Sequence, residues 1–111
     1  MPRKSKLVSI VESCLDKHKA LDIETIDVKE RTPFADYYVL ATAMNIRQLD
    51  ALKELVVEEL EKNKFDVGHI EGRPESGWIL IDAHQVIINL FSKEERERIS
   101  LEEVLSGKKR K

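Results

Sequence analysis

The stretch WILIDAHQVIINLF, residues 78–91, limits what this chain can fold into more than any other segment. It holds two apolar runs, residues 78–81 and 86–91, parted by the polar break Asp82-Ala83-His84-Gln85. Each run is too short for a helix and rich in apolar, β-branched residues, so each predicts a strand. The short break makes an antiparallel hairpin the natural connection. A further run, YYVLATA at Tyr37–Ala43, is aromatic and β-branched and carries no charge. It predicts a central strand buried on both faces.

The remaining segments supply the layers that such strands need. Leu7, Val8, Ile10, Val11, Cys14, Leu15 and His18 recur at helical spacing and predict a helix over residues 5–19, with His18 at its end. Ile23, Ile26 and Val28 alternate with polar residues and predict a half-buried strand over 22–29, followed by a turn through Pro33. Asn45 is the expected N-cap of a helix over 46–63, striped by Leu49, Leu52, Val56 and Leu60. A short strand is expected over 65–70, a turn over 73–77, and a charged turn or helical start over 93–98. Ser100-Leu101-Glu102-Glu103 fits a capping box that opens a last short helix ending at Gly107. The order α-β-β-α-β-β-β-α predicts an α/β or α+β fold, with one mixed sheet of about five strands and helices packed on it.

With 111 residues the chain has room for one core. The expected division is a basic end over residues 1–6, one domain over 7–106 and a basic tail over 107–111. Residues 7–107 carry 12 positive and 21 negative charges, so the body is acidic between basic ends. Such a body repels phosphate backbones and suits a basic protein surface, while the ends offer an accessory RNA contact. Cys14 is the lone cysteine, no run approaches the roughly 18 apolar residues of a membrane span, and the N-terminal segment reads as an amphipathic helix. A cytoplasmic protein without membrane contact is expected.

Catalytic signatures are scarce. His18, His69 and His84 are far apart and lack metal-ligand spacing, and the strand-to-helix turn at residues 42–46 lacks the glycines of a nucleotide loop. Asp36 and Asp82 stand alone, without the paired carboxylates that nucleotidyl transfer requires. Cys14 sits on an apolar stripe. Asp82 and His84 share a strand face as an acid–base pair would, yet no third group completes a site, and solvation of a hairpin turn is the favoured reading. Neither a metal nor a cofactor is expected.

Recognition is the better use of the segment. If Ile79 and Ile81 face the core, Trp78, Leu80 and Asp82 lie on the outer face, where an aromatic anchors interfaces. The alternative is that a helix of the same chain covers Trp78. An exposed apolar strand face would also favour a homodimer of the free protein.

The ordered set of motifs resembles the ribosomal silencing factor (Iojap-like) family. The matching residues are Asp36 with Ala41-Thr42, Arg47, Glu71-Gly72, Trp78-Ile79-Leu80-Ile81-Asp82, Phe91 with Glu94 or Glu95 and Arg96 or Arg98, and Leu101-Glu102. The resemblance spans about residues 7–105. It implies a nucleotidyltransferase-like fold without catalytic carboxylates, and a non-enzymatic role. It also implies binding to the large ribosomal subunit through the ribosomal protein numbered fourteen there, which blocks joining of the small subunit and represses translation. The expected contacts are Trp78 and Leu80 as an apolar anchor, with Asp82, Glu71 and Asp36 pairing to partner cations. The chain departs from the family pattern at His84-Gln85, where Gly-Asp is usual, at Asn89, where histidine is usual, and at Ile46-Arg47-Gln48, where Ser-Arg-His is usual. The rival readings are a small nucleotidyltransferase or hydrolase using Asp82 and His84, and an RNA-binding protein using its basic ends.

Overall fold

A chain with three strands this apolar must cover both sides of its sheet, and it does so in two different ways. The computed structural model describes residues 6–100. Along the chain run α1 (Lys6–Lys17), β1 (Leu21–Asp27), β2 (Tyr37–Ala43), α2 (Ile46–Lys62), β3 (His69–Glu71), a 3-10 turn at Pro74–Ser76, β4 (Trp78–Ala83), β5 (Val86–Ser92) and α3 (Lys93–Arg98). The five strands form one mixed sheet in the order β1-β2-β5-β4-β3. Only β2 and β5 run parallel, and every other neighbouring pair is antiparallel.

One face carries the helices. Val39, Ala41 and Ala43 of β2, Ile79 and Ile81 of β4, and Ile88 and Leu90 of β5 form a buried cluster with the stripes of α1 and α2. The stripe of α2 is Leu49, Leu52, Val56 and Leu60, as the spacing predicts. The Asn45 side chain accepts a hydrogen bond from the Gln48 N–H at 2.8 Å and so caps α2. The opposite face has its own smaller cluster, in which Val28 and Ala35 pack with Tyr38, Leu40, Trp78, Ile87 and Phe91.

Several boundaries differ from the sequence reading. The expected strand over 65–70 is reduced to His69–Glu71, because Phe65 and Val67 turn toward the helix cluster instead of pairing. Asp82 and Ala83 belong to β4, leaving a turn of only His84 and Gln85. His84 alone of these two has positive φ, at 69°, the position where a two-residue hairpin favours glycine. Residues 93–98 form a short helix capped by the Ser92 hydroxyl. Gly77 closes the 3-10 turn at φ 81°, and a Cβ there would sit 2.8 Å from Ser92 Oγ. The helix expected after Ser100, the basic tail and residues 1–5 of the basic N-terminal end lie outside the described residues, while Lys6 opens α1.

Two outcomes follow for stability. Asn45→Ala removes the α2 cap and lowers unfolding free energy by about 1 kcal/mol in urea denaturation. Burial raises the Cys14 thiol above its ordinary 9.0, helped by Glu59, and raises the Tyr38 phenol above its ordinary 10.0. Both groups ionise more readily once unfolded, so stability is full below pH 9 and falls as pH rises beyond it. A denaturation midpoint that stays level from pH 8 to 11 would contradict this.

Candidate partner-binding face

Cross-strand partners share a face, so the registers define the surface opposite α1 and α2 as three rows. Tyr38, Ile87, Asp82 and His69 form the first row, and Leu40, Asn89, Leu80 and Glu71 the second. Thr42, Phe91 and Trp78 form the third.

The third row is closed. The Arg96 guanidinium donates to Thr42 Oγ1 at 2.8 Å and Glu24 Oε1 at 3.1 Å, and lies 5.8 Å over the Phe91 ring. Trp78 stacks at a tilt on Phe91, with centroids 5.4 Å apart, and is only 3% exposed. Its indole Nε1–H donates to Asn89 Oδ1 at 2.8 Å. Asn89 is also buried, and its Nδ2 has no hydrogen-bond partner among the described residues. The alternation argument thus assigns Trp78 to the right side of the sheet, but the expectation of an outward aromatic is corrected. The cover comes from the small cluster on that face, not from α1 or α2.

The other two rows are open toward β3. Leu80 and Asp82 are half-buried, and His69 and Glu71 are exposed. His69 lies between the two acids, with Nε2 2.7 Å from Glu71 Oε2 and Nδ1 3.5 Å from Asp82 Oδ2. Asp82 and His84 do not form an acid–base pair. Asp82 Oδ1 accepts the His84 backbone N–H at 2.9 Å, and the His84 ring meets Asp66 Oδ2 at 3.0 Å. This is the hairpin-turn role. No group of three or more His, Cys, Asp or Glu side chains is arranged to hold a metal among the described residues.

Where the first row ends at the β4–β5 turn, a groove of about 500 Å³ opens. Asp36 and Asp82, remote in sequence, both line it, with Ile87, His84 and Phe34. The structure therefore gathers Asp36, Asp82, Leu80 and Glu71 on one side of the sheet and places Trp78 beneath it. Phe34 is 81% exposed and was missed by the strand argument, because it belongs to a loop. The available signal was a large aromatic directly after a turn proline.

The family model described as "Ribosomal silencing factor during starvation" matches residues 2–111. The chain belongs to the ribosomal silencing factor family. Ribosomal silencing factor RsfS of Zymomonas mobilis is 35% identical over 96 residues, covering 86% of this chain and 72% of the relative. The same-named protein of Bacillus subtilis is 30% identical, covering 94% and 87%. A mouse relative named for mitochondrial assembly of the ribosomal large subunit is 27% identical, covering 87% of this chain and 44% of its own. The fold matches a crystal structure of a Chromobacterium violaceum protein with TM-score 0.84 at 24% identity, covering 96% and 88%.

In this silencing-factor chain Trp78 is part of the sheet's interior. Its emission should be blue-shifted and resist iodide quenching in the native state, whereas strong quenching would return Trp78 to the surface. Trp78→Phe leaves Asn89 without its donor and should cost about 1–3 kcal/mol by circular dichroism in urea.

Proposed function

We propose that the protein binds the large ribosomal subunit through the basic ribosomal protein numbered fourteen there, and that its bulk prevents the small subunit from joining. Translation is repressed as a result. The observation that carries this reading is the open, acidic part of the sheet face opposite α1 and α2, where Glu71 pairs with Leu80 across the strands and Asp82 and Asp36 line the adjoining groove. Carboxylates held on a β-sheet present a fixed negative surface, which steers and orients a basic protein partner. The relatives' names support a ribosomal target, and the mouse relative's name supports the large subunit. The role is one of occupancy: no bond of a substrate is made or broken, and the site needs no cofactor. It places the protein in the compartment of its ribosomes, the cytoplasm for a bacterial-type chain. The basic ends add an rRNA contact in this reading, and the free protein self-associates through the same face.

Co-sedimentation with purified large subunits, followed by addition of small subunits, tests the proposal. Co-migration with the large subunit and a smaller fraction of joined ribosomes is the expected result. Wild-type protein at micromolar concentration that stays at the top of the gradient would sink it. Replacing both Glu71→Gln and Asp82→Asn should weaken binding about three- to tenfold, chiefly through slower association, and should flatten its salt dependence. Unchanged affinity at low salt would show that the acids are not part of the contact.

A further inference from the structure

The groove at the end of the first row has a shape and charge that neither the sheet nor the turn requires. We infer that it is a socket for one arginine side chain projecting from the basic partner, gripped by Phe34 and Asp36; this rests on the docking reading above.

Phe34 is the most exposed large apolar side chain among the described residues, yet its backbone is fixed. The loop over residues 28–36 is closed at its base by Val28 N–H to Asp36 O at 2.9 Å. Thr32 N–H bonds Val28 O at 3.0 Å, and the Thr32 hydroxyl receives the Phe34 N–H at 3.1 Å. Gln85 O of the hairpin turn takes the N–H groups of Asp36 and Tyr37 at 2.7 and 3.2 Å. The two walls of the groove are thus tied to each other through the backbone. A ring held out to water on a braced loop is preorganised for a partner and loses little freedom on binding.

Asp36 supplies the charge. It is half-buried, and its carboxylate makes no side-chain hydrogen bond or close ion pair among the described residues, with Lys29 acting on it only at longer range. The cation near it, Lys29, is engaged elsewhere, 3.8 Å from Asp27 Oδ2, 3.1 Å from the Tyr37 hydroxyl and 4.5 Å over the Tyr37 ring. His84, on the opposite wall, is turned to Asp66. Asp82 adds a second carboxylate to the lining, and Ile87 an apolar surface. Flat aromatic surface, apolar floor and a carboxylate without a close side-chain bond among the described residues together fit a guanidinium. It stacks by its face and forks to a carboxylate by its edge, whereas a lysine ammonium has no face to stack. A phosphate group is repelled by both acids.

The test measures affinity for purified large subunits with wild type, Phe34→Leu, Asp36→Asn and the double variant, each checked for native circular dichroism. Leucine keeps the apolar contact and removes the π face. The expected losses are about fivefold for F34L and about tenfold for D36N, with the double variant losing clearly less than the product, because both residues hold one group. Wild-type binding with both single variants unimpaired overturns the socket and leaves the docking reading intact. A loss for D36N alone overturns the stacking. Fully multiplicative losses overturn the shared guanidinium. Failure of the wild type to bind removes both readings. A dimer in analytical ultracentrifugation that F34L dissolves, with the affinity of F34L for large subunits unimpaired, assigns the groove to a second copy and overturns the partner arginine.

Discussion

The parallel pairing of β2 with β5 is the constraint on which the rest of the structure depends. It runs in unbroken register from Tyr37↔Val86 to Ala43↔Ser92. Parallel neighbours need a long crossover, and here the crossover carries α2, β3 and β4. A strand with sheet neighbours on both sides and such apolar content needs cover on both faces. The helices α1 and α2 cover one. On the other, the described residues place the loop over residues 28–36 with Val28 and Ala35, Ile26, Ile99 and the Arg96 side chain. These are too little to cover the whole face. Among the described residues the rows nearest β3 therefore remain open, and that shortage of cover creates the candidate surface.

The polar pair beneath the surface shows how the covered part is made specific. Trp78 and Asn89 meet by a buried hydrogen bond in the middle of an otherwise apolar cluster. A buried amide costs free energy unless paired, and here one half of the Asn89 amide is satisfied. The pairing fixes the register of β4 on β5, because a slip of β4 by one residue would send Trp78 to the helix side and leave Asn89 without its donor. The family pattern's histidine at this position would also offer an acceptor to the indole. The departure at Asn89 is thereby a change inside the sheet. The departure at His84-Gln85 is different: Gln85 contributes its carbonyl to the loop base, a role any residue fills, while His84 takes a positive φ that glycine takes more easily.

Local signals were legible and non-local ones were not. The bounds of β2 and the cap at Asn45 follow from residue types within one segment, and the sequence reading places both correctly. Strand alternation correctly separates Ile79 and Ile81 from Trp78 and Leu80. Alternation says which face a residue occupies, but not whether that face is covered. The cover over Trp78 comes from residues 28–35 and 91–99, far away in sequence or in a segment that reads only as charged. The same limit hid the groove: Asp36 and Asp82 meet because the β2–β5 register brings the start of β2 to the β4–β5 turn, and no spacing along the chain records that.

Recognition energy concentrates where an aromatic or an arginine is fully desolvated, while rim charges mainly steer and orient. Most aromatics of the described chain are already committed. Trp78, Tyr38 and Phe91 are buried in the small cluster, Phe65 packs against the helix cluster, and Tyr37 lies under Lys29. Phe34 is the one whose ring remains to be desolvated. Glu71 and Asp82 already contact the exposed His69 between them, so their contribution is orientation more than strength. The grip and the guide are therefore separate parts of one surface. The guide lies along β3 and β4, and the grip lies at the braced loop beyond the hairpin turn, where the aromatic ring and Asp36 line the same groove.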